Sequence, residues 1–447
     1  MINDWNNAED HVDRALEFYQ RGRWPEAEAE LRKALEFDPD RGDWQFNLGL
    51  TLEAAGRDAE SYEAYRIAVD LLPDEAEPFI AVGVLANRLG KHEESVRWLE
   101  IAIKKDPTSE ASFSHLIDAY TNLDRLEDAE TTYFLAQQSL EELPNCLAAM
   151  GESLLKRGEL KRAGWCYREA LRQDPEIPGV RARLARILAA HGKVERAMQM
   201  YLQELRQDPG SIDTLIDFGD LLMSQERIAE ASEKYRRVLE IEPANTDAHF
   251  RLGQVAILQS NIQQAHLEYE LILKLCPDFP LIRIHLADCL VQLDRVPEAR
   301  RHLDEQLTND PDTLRLPDRY TLGCLLVASG MFLEAVPVLQ SIVETDPGDV
   351  EAWRKLARAQ FECSEHDKAI CSCHKVLAMD PTCASSHHNL ALASLESGRP
   401  AEAFHWVRKG LAHSPHDQGL RILRMRTAYA CFRSFVLRLV GRGVEEK

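Results

Sequence analysis

The sequence predicts an all-α solenoid: about twelve helical hairpins of 34 residues each, followed by a capping helix at the C-terminal end. Three observations carry that prediction. Prolines recur on a 34-residue beat, two sites in every beat hold small residues, and a third site holds tyrosine in half of the beats. Residues 144–177, PNCLAAMGESLLKRGELKRAGWCYREALRQDPEI, show the unit. Leu147, Met150, Gly151 and Leu154 share one helical face, Gly158 breaks the run, and Ala163, Tyr167 and Ala170 mark a second helix. Asp174-Pro175 ends it, because proline lacks an amide hydrogen and pushes its predecessor out of the α region. A lone pair of short helices buries too little surface to offset its ordering entropy, so it must stack on its copies.

The beat runs through Pro39, Pro73 and Pro107, skips Glu141, and returns at Pro175, Pro209, Pro243, Pro277 and Pro311. After a step of 36 it resumes at Pro347, Pro381 and Pro415. Twelve residues before each beat stand Ala27, Ser61, Ser95, Ala129, Ala163, Ala197, Ala231, Ala265, Ala299, Ala335, Ala369 and Ala403. Residues this small are expected where two helix backbones approach closely. Twenty-four before each beat lie Ala15, Gly49, Gly83, Ile117, Gly151, Ala185, Gly219, Gly253, Ala287, Gly323, Ala357 and Ala391, all small except Ile117. Tyr65, Tyr133, Tyr167, Tyr201, Tyr235 and Tyr269 follow the Ala/Ser site of their units by four residues. Gly22, Gly56, Gly90, Gly158, Gly192, Gly330 and Gly398 fall at the hairpin turns, where a left-handed residue closes the first helix.

Period, small sites, aromatic site and terminal proline together resemble the tetratricopeptide repeat family over roughly residues 8–415. The units begin near 8, 42, 76, 110, 144, 178, 212, 246, 280, 316, 350 and 384, giving a solenoid over 1–415 and a C-terminal basic helix and tail over 416–447. The resemblance implies a right-handed superhelix whose first helices line a concave side that holds extended peptides. Departures are local. Arg14 replaces a large apolar residue in the first unit, Ile117 and the missing proline mark the fourth, and two extra residues near Asp312–Pro317 are expected to bend the tenth.

Composition narrows the function. The N-terminus has no apolar run of signal-peptide length, and no stretch of 18 uncharged apolar residues suggests a membrane span. Ten cysteines lack framework spacing, which suits a reducing compartment, and the expected location is cytoplasmic. A net charge of −21 argues against nucleic acid and either keeps a long solenoid soluble or selects a basic partner.

Chemistry is sparse. Phosphate-loop, dinucleotide, zinc-protease and nucleophile-elbow motifs are absent, so neither an enzyme nor a cofactor is expected. Cys363, His366, Cys371, Cys373, His374 and Cys383 form a tempting cluster, but Cys371 and Cys373 are two apart on a helix and point to different faces. Cys373 instead occupies the tyrosine site of its unit. No metal site is expected.

Function then lies in a surface that binds other proteins. Carrying the family's groove positions onto this sequence implies Arg183, Arg186, Asp213, Asp217 and Asp220 in units six and seven, and Phe250, Arg251 and Asp288 beyond them. Asp247 joins the acidic set. Unit eleven contributes Arg354, Lys355, Arg358 and Phe361, and unit twelve His388 and Asn389. The family's carboxylate clamp is half present: Arg354 stands for its lysine and Asn389 matches its second asparagine. Arg358 replaces the first, and Gly419 and Leu423 cannot supply the remaining cations. The asparagine ladder of its glycosyltransferase arms survives only at Asn47 and Asn389. The mixture suggests an extended, charged partner segment, with Arg354, Lys355 and Arg358 as an anion anchor; harmless solvated faces are the alternative.

From Asp417 to Arg442 a helix carries Leu420, Leu423, Phe432, Phe435, Val436, Leu439 and Val440 among Arg421, Arg424, Arg426, Arg433 and Arg438. Residues 416–447 hold seven Lys/Arg against three Asp/Glu. Residues 417–430 read best as a cap on the last hairpin, with membrane association the less favoured alternative; the end near Phe432–Val440 suits either. The function classes that stay open are a non-catalytic adaptor, the recognition or regulatory subunit of a separate enzyme such as a glycosyltransferase, and a peripheral membrane assembly factor; a catalytic protein in its own right is disfavoured, because no catalytic constellation occurs.

Overall fold

The computed structural model describes the backbone of residues 2–308 and 313–445, and the side chains of residues 8–308 and 313–433. Expectations resting on Pro311 and Asp312, and on the side chains of Phe435, Val436, Arg438, Leu439 and Val440, fall outside the described residues. Among the described residues every regular element is a helix, and the chain divides into two bodies, Met1–Lys234 and Tyr235–Lys447.

The first body contains α1 (Ile2–Gln20), α2 (Trp24–Phe37), α3 (Gly42–Ala54), α4 (Asp58–Leu71), α5 (Glu77–Arg88), α6 (His92–Lys105) and α7 (Glu110–Asn122). It continues through α8 (Leu126–Ser139), α9 (Pro144–Lys156), α10 (Leu160–Gln173), α11 (Val180–Ala190), α12 (Val194–Gln207) and α13 (Ile212–Ser224). The division falls within α14 (Ile228–Ile241). The second body holds α15 (Thr246–Leu258), α16 (Ile262–Leu275), α17 (Ile282–Gln292), α18 (Val296–Leu307), α19 (Leu316–Ala328) and α20 (Phe332–Thr345). It ends with α21 (Val350–Glu362), α22 (His366–Met379), α23 (Ala384–Glu396), α24 (Pro400–His413) and α25 (Gln418–Glu445). Odd- and even-numbered helices pair as hairpins from α1–α2 to α11–α12 and from α15–α16 to α23–α24; with the repeat unit of α13 and α14 counted as the seventh, the fifth hairpin is α9–α10 and the eleventh α21–α22.

The two small sites do different work. Alanine or serine at the second site is fully buried in every hairpin, and Ser61 Oγ donates to the Gly49 carbonyl at 2.8 Å, a direct mark of close backbones. Glycine at the first site instead makes room for a side chain. A Cβ on Gly151 would stand 2.5 Å from Tyr167 Cε1, and one on Gly49 2.5 Å from Tyr65 Cδ1. Gly83 and Gly323 receive Leu99 and Leu339 in the same way. The hairpins of Gly49, Gly83, Gly151, Gly253 and Gly323 are thus keyed by one ring or leucine inserted over a missing side chain, and neighbouring hairpins bury the rest of the apolar face. Hairpin four departs: Ile117 is itself buried in that space, and Tyr133 lines an open cavity with Phe134 and Trp165. There α7 packs against α9, and the Glu110 carboxylate accepts from the Asn145 and Cys146 amides at 2.6 and 3.0 Å, capping the start of α9.

The seven predicted turn glycines all adopt positive φ, between 70° and 78°. In the other five hairpins Asp124, Glu226, Ser260, Asp294 and Ser364 take the same conformation at φ 58–62°. The turn geometry is therefore universal, while the residue that suits it without strain is not.

Candidate functional site

In the first body, odd-numbered helices bring a row of charges together. Arg183 on α11 faces Glu152 on α9, Nε to Oε2 3.7 Å, and Arg186 faces Asp217 on α13 at 3.6 Å. Asp213 and Asp220 are exposed on α13. Glu152 is held from below, since the Tyr167 hydroxyl donates to its Oε2 at 3.1 Å. At the α7 end of the row lies His115, 4.0 Å from the Asp118 carboxylate. Their side chains keep 40% and 43% of their surface open to solvent, yet protein surrounds them on several sides. Burial pushes the Asp118 carboxyl up to about 6, with Glu152 adding to the shift and Arg183 opposing it, and burial also lowers the His115 imidazole.

His115, Asp118 and Glu152 were not among the residues expected at this surface. The signal was available: Asp118 and Glu152 each follow the first small site by one residue, the register that gives Arg186, Asp220 and Asp288.

The second body gathers the other expected residues at two places. Phe250 packs on Tyr269, Phe279 and His285, with ring centroids 5.1–5.8 Å apart, so it belongs to an aromatic cluster. Burial lowers the His285 imidazole, and Asp288 opposes that shift. Arg251 lies 3.9 Å from Asp247.

The larger assembly lies between α21 and α23. Arg354, Lys355, Arg358, Phe361, His388 and Asn389 line one cavity of about 420 Å³. Arg354 pairs with Glu351 at 2.6 Å, and Lys355 reaches the Cys324 thiol. Arg358 is exposed and meets no carboxylate among the described residues; Glu362 and Ser385 also line the cavity. The cavity can take an anion against two arginines and a lysine, with imidazole, amide and hydroxyl groups for orientation. Beneath it Cys373 is buried with Ala357 and Leu390, and burial pushes its thiol up to about 12, so it acts as an apolar filler in the tyrosine site. Leu423, where the carboxylate clamp would need a cation, is buried in the core. Among the described residues no three His, Cys, Asp or Glu converge as metal ligands, and no helix is long and apolar enough to cross a membrane.

Tetratricopeptide repeat models match residues 12–76, 148–212, 280–305 and 326–393, and a TPR repeat model matches 219–260. Together these cover more than half of the chain. The chain belongs to the tetratricopeptide repeat family. Part of it is similar to a peroxisomal targeting signal receptor of Kluyveromyces lactis, 28% identical over 104 residues, which is 23% of this chain and 18% of that protein. The receptor of Komagataella phaffii is 32% identical over 100 residues, 22% of this chain and 16% of the other. The chain therefore spans under a fifth of the length of either relative. Of solved structures, Pseudomonas aeruginosa pilF is 18% identical with a TM-score of 0.41, covering 48% of this chain and 97% of that one. Yeast Tom70 is 15% identical with a TM-score of 0.38, covering 98% and 99%.

Proposed function

We propose that this tetratricopeptide repeat chain is a non-catalytic, cytoplasmic interaction scaffold that holds an extended, charged segment of another protein along its first helices. Residues 1–415 would form the binding solenoid and 416–447 its cap. The observation that supports this reading most is the cavity between α21 and α23, where six residues chosen from sequence register line one space. In a protein of net charge −21, two arginines and a lysine gathered on one wall favour an acidic segment at this end. The curated relatives are named receptors for a targeting signal, a kind of protein this reading describes.

Capture from lysate with mass spectrometry, run on the wild type and on Arg354→Glu/Arg358→Glu, tests it. The expected result is a set of proteins retained by the wild type and lost from the variant, with acidic segments common to the set. Identical sets at equal stability would remove the cavity from the function.

A further inference from the structure

The last helix turns opposite faces to the fold and to solvent. On its inner side Leu420, Leu423 and Thr427 are buried, with Leu423 in one apolar cluster with Ala391, Ala403 and Val407. Gly410 on α24 lets the helices close up, since a Cβ there would stand 2.8 Å from Leu420 Cδ1. On the outer side Ile422, Met425, Tyr429 and Phe432 recur at steps of three, four and three and are 57%, 68%, 68% and 66% exposed. At about 100° per residue this stripe lies roughly opposite the buried residues and runs about 15 Å. Capping thus accounts for one face and leaves the other uncovered.

Charge says what covers it. By the same helical spacing Arg421 and Arg424 border one edge of the stripe, and Arg426 and Arg433 the other. None of the four meets a carboxylate among the described residues; Arg421 donates to the Pro415 carbonyl at 2.8 Å. No aspartate or glutamate occurs from Gln418 to Val444, in a chain with 74 of them.

We propose that the outer face of α25 lies on an anionic lipid surface, with Ile422, Met425, Tyr429 and Phe432 in the interfacial layer and the four arginines among the headgroups. Arginine stems follow apolar surface while their heads stay wet, and tyrosine suits the same boundary. A second copy fits poorly, because two such stripes face to face would set arginine rows against arginine rows. A protein partner would need an apolar groove with acids on both rims, whereas anionic headgroups surround the helix on every side. The rest of this acidic chain is repelled by such a surface, so α25 fixes the end that approaches. This inference does not rest on the groove, which uses residues of other helices.

Flotation of the full chain with phosphatidylcholine vesicles, and with mixed phosphatidylcholine–phosphatidylserine vesicles, tests it. The expected result is binding to the mixed vesicles alone, weakened by salt. Tyr429→Ser/Phe432→Ser should abolish it, and Arg426→Gln/Arg433→Gln should weaken it roughly 30-fold, at about five-fold per arginine. All four positions are exposed, so both variants should melt with the wild type. Absence of binding to mixed vesicles, equal binding to neutral ones, or variants that bind unchanged would each overturn the proposal. So would concentration-dependent dimers abolished by Tyr429→Ser/Phe432→Ser, or a protein partner that needs this stripe in a chain that ignores vesicles.

Discussion

Hairpins five and six fill two register positions with a charge pair, and hairpins eleven and twelve fill the same two with a cation and an amide. In the first body the positions are Glu152, one residue after the first small site, and Arg183, two before the next; they face each other at 3.7 Å. In the second body they are Arg358 and Asn389, which share a cavity wall that carries no acid at either position. The residue beneath differs too. Tyr167 offers a hydroxyl that holds Glu152, while Cys373 in the same register is an apolar filler. One repeat geometry therefore makes a closed ion pair in one place and an open cation in another. A half-exposed pair at this distance contributes about 1 kcal/mol or less, so the difference lies in availability for a partner rather than in stability.

The largest expected effect breaks that contrast directly. Arg358→Glu should weaken an acidic segment recovered by capture by about 30-fold, the scale of one charge-assisted hydrogen bond of about 2 kcal/mol. Arg183→Glu should cost the same segment about three-fold or less, because Glu152 already engages that guanidinium. Fluorescence anisotropy with the labelled segment measures both, and equal losses would mean that the two surfaces bind alike.

A smaller effect tests the support beneath Glu152. In Gly151→Ala the new Cβ would stand 2.5 Å from Tyr167 Cε1, so the ring must shift and loosen its bond to Glu152. Overpacking of this kind costs about 1–3 kcal/mol. The converse change in the second body, Ala357→Gly, should cost about 0.5–1 kcal/mol through helix propensity, and roughly 0.8 kcal/mol more for the buried methyl it removes beside Cys373. Urea unfolding measures both, and a Gly151→Ala chain as stable as the wild type would show that the ring is not keyed into its glycine.

Regularity explains what sequence could and could not reveal. The 34-residue beat, the two small sites and the turn glycines were legible because twelve copies repeat one steric demand. Asp124, Glu226, Ser260, Asp294 and Ser364 were not, because the hairpin imposes a left-handed residue even where the side chain disfavours it. The cavity residues were legible one by one from register. The partnering of Arg183 and Arg186 was not, because it depends on side chains of neighbouring hairpins some 31 residues away in sequence. The outward stripe of α25 was hidden for a related reason: sequence shows apolar residues on a helix, and only packing divides Leu423 from Met425.

The smallest expected effect concerns Asp118, which occupies in hairpin four the register position that Glu152 holds in hairpin five. Burial and Glu152 raise its carboxyl to about 6, while Arg183 pulls it down. A carboxyl raised on folding favours the folded state at acid pH, and that contribution is lost as pH rises from the unfolded value near 4 through 6. Asp118→Asn should therefore melt higher than the wild type at pH 7.5, with the gain shrinking toward zero below pH 4. Because 43% of the side chain is exposed, the gain should stay under about 1 kcal/mol. His115 works in the opposite sense: its lowered imidazole pKa costs stability as pH falls through the unfolded value near 6.5. Comparing melting curves of Asp118→Asn and His115→Gln across pH 4–8 separates the two contributions. A gain for Asp118→Asn that stays constant with pH would show that lost charge repulsion and desolvation are not its source.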